Sequence, residues 1–341
     1  MPHYNLALLG FGNVGQALAH LLLHKQSDLE QAYDLTFGVT GIATGRHGIV
    51  LNPAGIDLKR ALYLAEKGED LSSLSFESPP ASSLDFIERV QADVLFENSP
   101  VNYETGQPAV DHLRAALNAG MHAITANKGP VVHAYRELTN LAQQKGRKFY
   151  FEATVMDGAP IFSLFREALP AARLRALRGI LNSTTNMILT RMEAGESFAE
   201  AVAYCQKIGI AETDPSGDVD GWDASVKVAA LATVLMGIPI KPQEVDRQGI
   251  RNISEADVLR AKQGGRRWKL VCSAVRDGDS VRAQVAPQVV GPESPFYNVQ
   301  GTTSIVQFES HVLGLLSIVE ADPGPQTTAY GLFADFLNAV K

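Results

Sequence analysis

Apolar residues in the first part of the chain come in short unbroken runs, with helically spaced segments between them. Residues 5–9 (NLALL) read as a buried strand, and residues 13–24 (NVGQALAHLLLH) carry apolar side chains at helical intervals. Residues 35–43, 92–97 and 122–126 predict further strands, with helices near 108–119 and 130–145. Strand and helix in alternation predict a parallel, doubly wound α/β sheet. Residues 68–85, with their Ser/Pro content, predict a surface excursion.

The pattern changes after about residue 147. Residues 148–155, 174–181, 269–275, 280–285 and 304–308 read as strands with fewer helices between them, which predicts a second α+β domain with a mixed or antiparallel sheet. Residues 327–340 read as a final helix. The expected division is 1–147 for the first domain and 148–326 for the second, with 327–341 packing back on the first.

Composition narrows the class. A length of 341 residues suits about two domains. Hydrophobic content of 45% and charged content of 20% describe an ordinary globular chain. The net charge of −7 leaves no basic footprint, so nucleic acid is not an expected partner. Cys205 and Cys272 alone give neither a metal spacing nor a disulfide framework, which fits the cytoplasm. The N-terminus lacks the charge pattern of a signal peptide, and the longest apolar run, 228–240, is too short to span a bilayer, so no membrane association is expected.

Two motifs carry chemistry. Gly10, Gly12 and Gly15 form G-F-G-N-V-G between the first strand and the first helix. In that context the glycines suit a tight turn, a pyrophosphate and close helix–strand packing, as in a Rossmann-type dinucleotide site. The helix start at Asn13 and Val14 would face the phosphates with free N–H groups. NAD-binding versions place an acid after the second strand. This chain has Thr44-Gly45-Arg46-His47-Gly48, so Arg46 is either a reader of the 2′-phosphate of NADP or an ordinary exposed arginine.

The second motif runs from Glu212 to Lys227. It holds Glu212, Asp214, Asp218, Asp220 and Asp223, then Lys227 on a predicted apolar helix that starts at Trp222. Asp223 and Lys227 are four apart and share a helix face. Acids are rarely buried unpaired, so the cluster suggests a pocket for an amino-bearing cation beside a proton-transferring lysine. A calcium loop starting at Asp214 would need Gly and Glu where Val219 and Ser225 stand. A solvated N-terminal turn would account for one or two acids, not five.

Taken together, G-F-G-N-V-G (10–15), T-A-N-K-G-P (125–130), F-E-A-T-V (151–155), G-I-L-N-S-T-T-N (179–186), A-E-T-D-P (211–215) and D-V-D-G-W-D-A-S-V-K (218–227) resemble homoserine dehydrogenases over nearly the whole chain. The resemblance implies reversible NAD(P)-dependent interconversion of L-aspartate 4-semialdehyde and L-homoserine, on the route to threonine and methionine. It implies substrate contacts at Glu212, which would hold the ammonium, and at Asp218, Ser183 and Thr184. Asp223 and Lys227 match the family's catalytic pair, and Lys128 the lysine after a cofactor-domain strand. Proton transfer falls to Lys227 with Lys128 orienting the oxygen, or the reverse. Ser99 is a further expected cofactor contact. A loop of Glu152, Val155, Asp157 and Ala159 matches a monovalent cation (Na⁺) site, although Asp157 could instead make a local turn bond. The resemblance also implies a homodimer built through the second domain's sheet; unlike many relatives, the chain is expected to carry no regulatory domain after the last helix.

Departures bear on selectivity. Ser183 stands where glycine is common, Ile210 where tyrosine is common, and 320–329 is less glycine-rich than in relatives. Two other functions compete. Aspartate-semialdehyde dehydrogenase chemistry needs an activated cysteine, and neither cysteine has a turn or base beside it. A nucleotide-sensing module would need the glycine motif but not the constellation from Glu212 to Lys227.

Overall fold

The computed structural model describes residues 1–341, which divide into two compact units: 1–160 with 325–341, and 161–324. The first unit opens with β1 (His3–Leu9), α1 (Asn13–Tyr33), β2 (Thr36–Ala43), β3 (Ile49–Leu51) and α2 (Leu58–Glu66). It continues through α3 (Ser83–Arg89), β4 (Val94–Glu97), α4 (Ala109–Asn118) and β5 (His122–Thr125). Then come α5 (Lys128–His133), α6 (Tyr135–Gln144) and β6 (Phe149–Tyr150).

The strands form one sheet in the order β3-β2-β1-β4-β5-β6. All neighbours are parallel except β3, which pairs antiparallel with β2 at the edge. Sequence order reverses between β1 and β4, and in open α/β sheets ligands bind beyond the strand C-termini at such a point. Parallel strands are covered on both faces, which is why β1 and β4 are apolar in unbroken runs.

The predicted strand at 148–155 is largely absent. Only Phe149 and Tyr150 pair with β5, and a 3₁₀ turn follows at Glu152–Thr154. The apolar character there reflects packing rather than pairing: Phe149 and Phe151 stack at 5.0 Å, and Tyr135 meets Phe151 edge-on at 5.7 Å. The predicted helix at 130–145 is two helices separated at Ala134, whose φ of −138° is not helical. The 68–85 excursion is mostly irregular, with a 3₁₀ turn at Ser72–Leu74 and the start of α3 at Ser83.

The second unit comprises β7 (Leu174–Ile180), α7 (Ser183–Glu193), α8 (Phe198–Lys207), α9 (Ser216–Val219) and α10 (Trp222–Leu235). It ends with β8 (Asp246–Arg247), α11 (Glu255–Gln263), β9 (Arg267–Asp277), β10 (Ser280–Val290), β11 (Ser304–Ser310) and β12 (Gly314–Glu320). Its sheet order is β12-β11-β7-β9-β10-β8, antiparallel apart from the β10–β8 pair. Helix α10 is apolar on nearly every face and buried almost throughout, as such a helix must be.

The closing helix α12 (Pro325–Val340) belongs to the first unit. Phe336 is fully buried, edge-on to Tyr4 at 6.1 Å and to Phe96 at 6.2 Å. The first unit reaches Pro160 rather than 147 because the intervening loop is bonded to this helix. The Glu152 N–H donates to Asp335 Oδ2 at 2.7 Å, and the Thr327 and Thr328 hydroxyls meet the Asp157 carboxylate at 3.2 and 3.0 Å. No helix is long and apolar enough to cross a membrane.

Candidate active site

The glycine motif closes the end of β1 onto its neighbours. Gly10 has φ +98° and donates its N–H to Ala43 O at 2.8 Å. A Cβ there would stand 2.5 Å from Asn98 O, and one on Gly15 would stand 2.3 Å from Gly10 O. A Cβ on Gly12 would meet nothing within 4 Å. Two glycines are therefore required by packing, and the middle one borders open space. Helix α1 begins at Asn13 without a side-chain cap, so the N–H groups of its first turn, including Val14, are left to face an anion. The site fits a dinucleotide pyrophosphate.

Arg46 lies exposed in the turn after β2. The Thr44 hydroxyl accepts from the N–H groups of Arg46 and His47 at 3.2 and 2.5 Å, and Thr44 N–H closes the turn on Gly48 O at 3.0 Å. No acid occupies this turn. Ser99 is turned inward: its hydroxyl and its N–H both donate to the Glu97 carboxylate. Lys128 opens α5, half-buried, where Asn127 caps the helix through Gly129 N–H at 2.9 Å.

In the second unit, β7 runs into Leu181 and Asn182, the cap of α7. Lys227, on α10, lies one turn after Asp223. Its Nζ stands 3.1 Å from Asp223 Oδ2 and donates to Leu181 O at 2.7 Å. Only 15% of the lysine side chain and 11% of the aspartate are exposed, so the pair is screened from solvent far more than a surface bridge. The Asn182 amide donates to Asp218 Oδ1 at 2.7 Å and to Asp223 Oδ2 at 3.0 Å. Its oxygen accepts from Thr185 N–H and the Thr185 hydroxyl, both at 2.8 Å. All four of its hydrogen-bonding positions are thus used, and two carboxylates that accept only fix which way the amide faces. Burial raises the Asp218 pKa, and the charge of Asp223 raises it further; bonds from Asn182 and Thr184 and the charge of Lys227 oppose.

The acid cluster does not gather as a whole. Asp218 and Asp223 meet at Asn182. Asp220 turns away to Arg251 at 2.8 and 3.0 Å, and Asp214 accepts from Ser216 N–H at 3.0 Å. Glu212 is exposed on the loop after α8, where Gln206 holds its carbonyl at 3.2 Å. The Thr184 hydroxyl donates to Ile210 O at 2.9 Å, and Ser183 Oγ lies 3.4 Å from Ser304 Oγ. Asn182 was not singled out from the sequence. An asparagine directly after a strand reads as a helix cap, and here it is one, with its NH₂ group still available to bridge two acids.

In the first unit, Glu152, Val155, Asp157 and Ala159 lie on the loop beneath α12, where the Asp157 side chain is engaged by two threonine hydroxyls and its φ is +42°. Burial pushes Cys205 up to about 11 and Cys272 up to about 12, so neither is a thiolate at neutral pH and neither suits thioester chemistry.

Comparison with known proteins finds matches over nearly the whole chain. Residues 10–152 match the family model for the homoserine dehydrogenase NAD-binding domain, and residues 160–337 match that for homoserine dehydrogenase. The chain is 34% identical over 339 residues to the NAD(+)-dependent homoserine dehydrogenase of Pseudomonas canavaninivorans, covering 99% of this chain and 96% of that one. It is 35% identical over 335 residues to the homoserine dehydrogenase of Methanocaldococcus jannaschii, covering 98% of each. A hyperthermophilic archaeal homoserine dehydrogenase in complex with NADPH superposes with a TM-score of 0.83 at 28% identity, covering 99% of this chain and 98% of that one. The Thiobacillus denitrificans homoserine dehydrogenase gives 0.82 at 28% identity, covering 99% and 73%.

The raised pKa of Asp218 has a stability consequence with a definite sign. A carboxyl whose folded pKa lies above its unfolded value adds no penalty below the unfolded value; the penalty grows as pH rises from the unfolded value to the folded one and is constant above it. Neutral pH lies above the unfolded value, so a penalty is present there. Asp218→Asn, which keeps an acceptor for Asn182, should therefore raise the melting temperature at pH 7. The gain should shrink as pH falls toward the ordinary carboxyl value of 3.8. Melting curves of both proteins across that range check it, and a loss of stability at pH 7 would contradict it.

Proposed function

The chain belongs to the homoserine dehydrogenase family, and we propose that Lys227 moves the proton in its reaction. That reaction is the reversible NAD(P)-dependent interconversion of L-aspartate 4-semialdehyde and L-homoserine, which leads to threonine and methionine. The bound dinucleotide supplies the hydride acceptor in one direction and the donor in the other. The chain's own tasks are to grip the substrate, orient its oxygen and handle one proton.

The observation that carries the assignment is the setting of Lys227 Nζ, held between Asp223 Oδ2 and Leu181 O at the end of β7. In alcohol oxidation the amine takes the hydroxyl proton; in aldehyde reduction the ammonium returns it to the carbonyl oxygen. Asp223 and the Leu181 carbonyl fix where the amine stands. Asp218 and Glu212 offer carboxylates to the substrate ammonium. Ser183 and Thr184 frame the turn beside them, and Lys128 orients the substrate oxygen.

Two further assignments belong to this reading. The first is a homodimer through the second sheet. Val312, Leu313, Leu315 and Val319, on the edge strand β12 and the turn before it, are each more than half exposed. Uncovered edges with apolar side chains invite pairing, and two-fold dimers are the commonest oligomers. The second is a cytoplasmic location, supported by two buried free thiols.

Lys227→Ala should lower kcat by roughly 10²–10⁴, the usual range for losing a general acid–base. The dissociation constant of the dinucleotide should hardly change, because the glycine motif lies in the other unit. Lys128→Ala should act more through the homoserine KM. A variant pair in which Lys128→Ala loses kcat and Lys227→Ala keeps it would reverse the two roles.

Arg46 should read the 2′-phosphate. Arg46→Ala should then raise the KM for NADPH more than that for NADH, since a charge-assisted contact is the stronger kind. Equal changes for both cofactors would remove Arg46 from that role. For the dimer, light scattering at assay concentration should give twice the chain mass of 36.7 kDa. A value near a single chain mass would end that assignment.

A further inference from the structure

Glu97 is completely buried at the C-terminal end of β4, and none of the roles above uses it. Its carboxylate is surrounded by donors. Oε1 accepts from Ser99 N–H at 3.1 Å and from the Ser99 hydroxyl, and His112 Nδ1 on α4 stands 3.4 Å away. The Thr125 hydroxyl on β5 shares its one hydrogen between Glu97 O at 2.8 Å and Oε2 at 3.0 Å. A carboxylate accepts only, so Nδ1 faces it with a hydrogen, and the other ring nitrogen, Nε2, lies 2.8 Å from the Ser83 hydroxyl.

The bonds continue until they close a ring. Thr125 Oγ1 accepts from Asn127 N–H at 2.9 Å. The Asn127 amide donates to Ser99 O at 3.0 Å and to Pro100 O at 3.3 Å, and its oxygen caps α5. Glu97, Ser99, Asn127 and Thr125 therefore bind together the two segments that leave the adjacent parallel strands β4 and β5. One segment carries Asn98 against Gly10 at the point where strand order reverses. The other carries Lys128. Asn98 keeps both amide atoms buried without a protein hydrogen bond.

Stability alone gives little reason for this carboxylate. Well-packed apolar groups of similar volume are often as stabilising as a buried, fully bonded ion. What an acceptor with four lone-pair sites adds is geometry: it holds several donors at set positions.

We propose that Glu97 is a positioning residue for the dehydrogenase reaction, clamping the 98–100 segment to the Thr125–Lys128 segment and so setting where Lys128 stands. The proposal rests on the role given to Lys128 above. It goes beyond that role in naming what fixes the lysine.

The test is a mutant cycle with homoserine as substrate. Glu97→Gln retains one acceptor and should fold, as judged by circular dichroism. It should lower kcat/KM roughly 10- to 100-fold, mainly through the homoserine KM as for Lys128→Ala, the scale of a small misplacement of an orienting group. In a Lys128→Ala background the same change should cost less than about threefold, because the two residues act along one path. Thr125→Val, which cuts the clamp on the β5 side, should reproduce the pattern and carries the test if Glu97→Gln does not fold. Thr40→Val is the control: it removes a buried hydroxyl bonded to Gln91 O at 2.9 Å in the same sheet, and should cost stability without changing kcat/KM.

A kcat/KM within about twofold of the parent in the clamp variants, or losses that multiply with that of Lys128→Ala, would overturn the proposal. If Lys128→Ala alone leaves both kcat and KM intact, the role given to Lys128 fails instead. The clamp is then judged on dinucleotide binding by fluorescence titration. Glu97→Gln should raise that dissociation constant at least roughly threefold through the 98–100 segment, and no change would overturn it.

Discussion

The second unit is organised around one requirement: a lysine and two carboxylates drawn out of water must satisfy one another. Lys227 can stay half-hidden because Asp223 lies one turn back on α10 and because β7 ends with a carbonyl, that of Leu181, within its reach. Asp218 and Asp223 can approach one another because the Asn182 amide donates to both. Remove Asp223 and the Lys227 charge is left in a poorly solvating place, which costs far more than the pair contributes when intact. The surrounding fold follows from holding the set together. Gly221 adopts φ +81° to join α9 to α10, and Arg247 lies over the Trp222 ring at 3.8 Å, anchoring the start of the lysine's helix.

That requirement also explains which parts of the site can be read from the amino-acid order. Asp223 and Lys227 are visible because a helix puts positions four apart on one face, whatever its surroundings. The glycine motif is visible because backbone geometry at Gly10 and Gly15 admits no side chain. Asn182 and Glu97 are hidden for the opposite reason. Each is a polar residue in a position that local rules already explain, one as a helix cap and one as the last residue of an apolar strand. Their bonds reach residues 36 and 28 positions away, and no local pattern records that.

The fold shows the same division. Alternating strands and helices in the first unit are legible because parallel strands covered on both faces are continuously apolar. The edge strands are not. Strand β3 is three residues long, and β12 carries apolar side chains on both faces, Leu315 and Val319 exposed and Leu316 and Ile318 part-buried, so neither shows in sequence the alternation that marks a half-buried strand. Residues 148–155 mislead in the other direction. Phe149, Tyr150 and Phe151 are all buried, but only two of them pair, because Glu152 N–H is taken by Asp335 of the closing helix. Burial and strand pairing leave the same hydrophobic signature, and only tertiary contacts separate them.

Proton handling and substrate gripping, on the roles proposed, rest on parts of the fold with different rigidity. Lys227 and Asp223 sit on a helix packed on nearly all sides, where a misplacement would have to move the core. Glu212 sits on an exposed loop, where few buried contacts resist local opening. The two are joined by the Thr184 hydroxyl, which donates to Ile210 O and ties the loop to the start of α7 next to Asn182. A change in the loop at Ile210 is therefore felt first through its backbone carbonyl and Thr184, not through the lysine. Substrate preference can drift at that loop while the pair that moves the proton keeps its geometry.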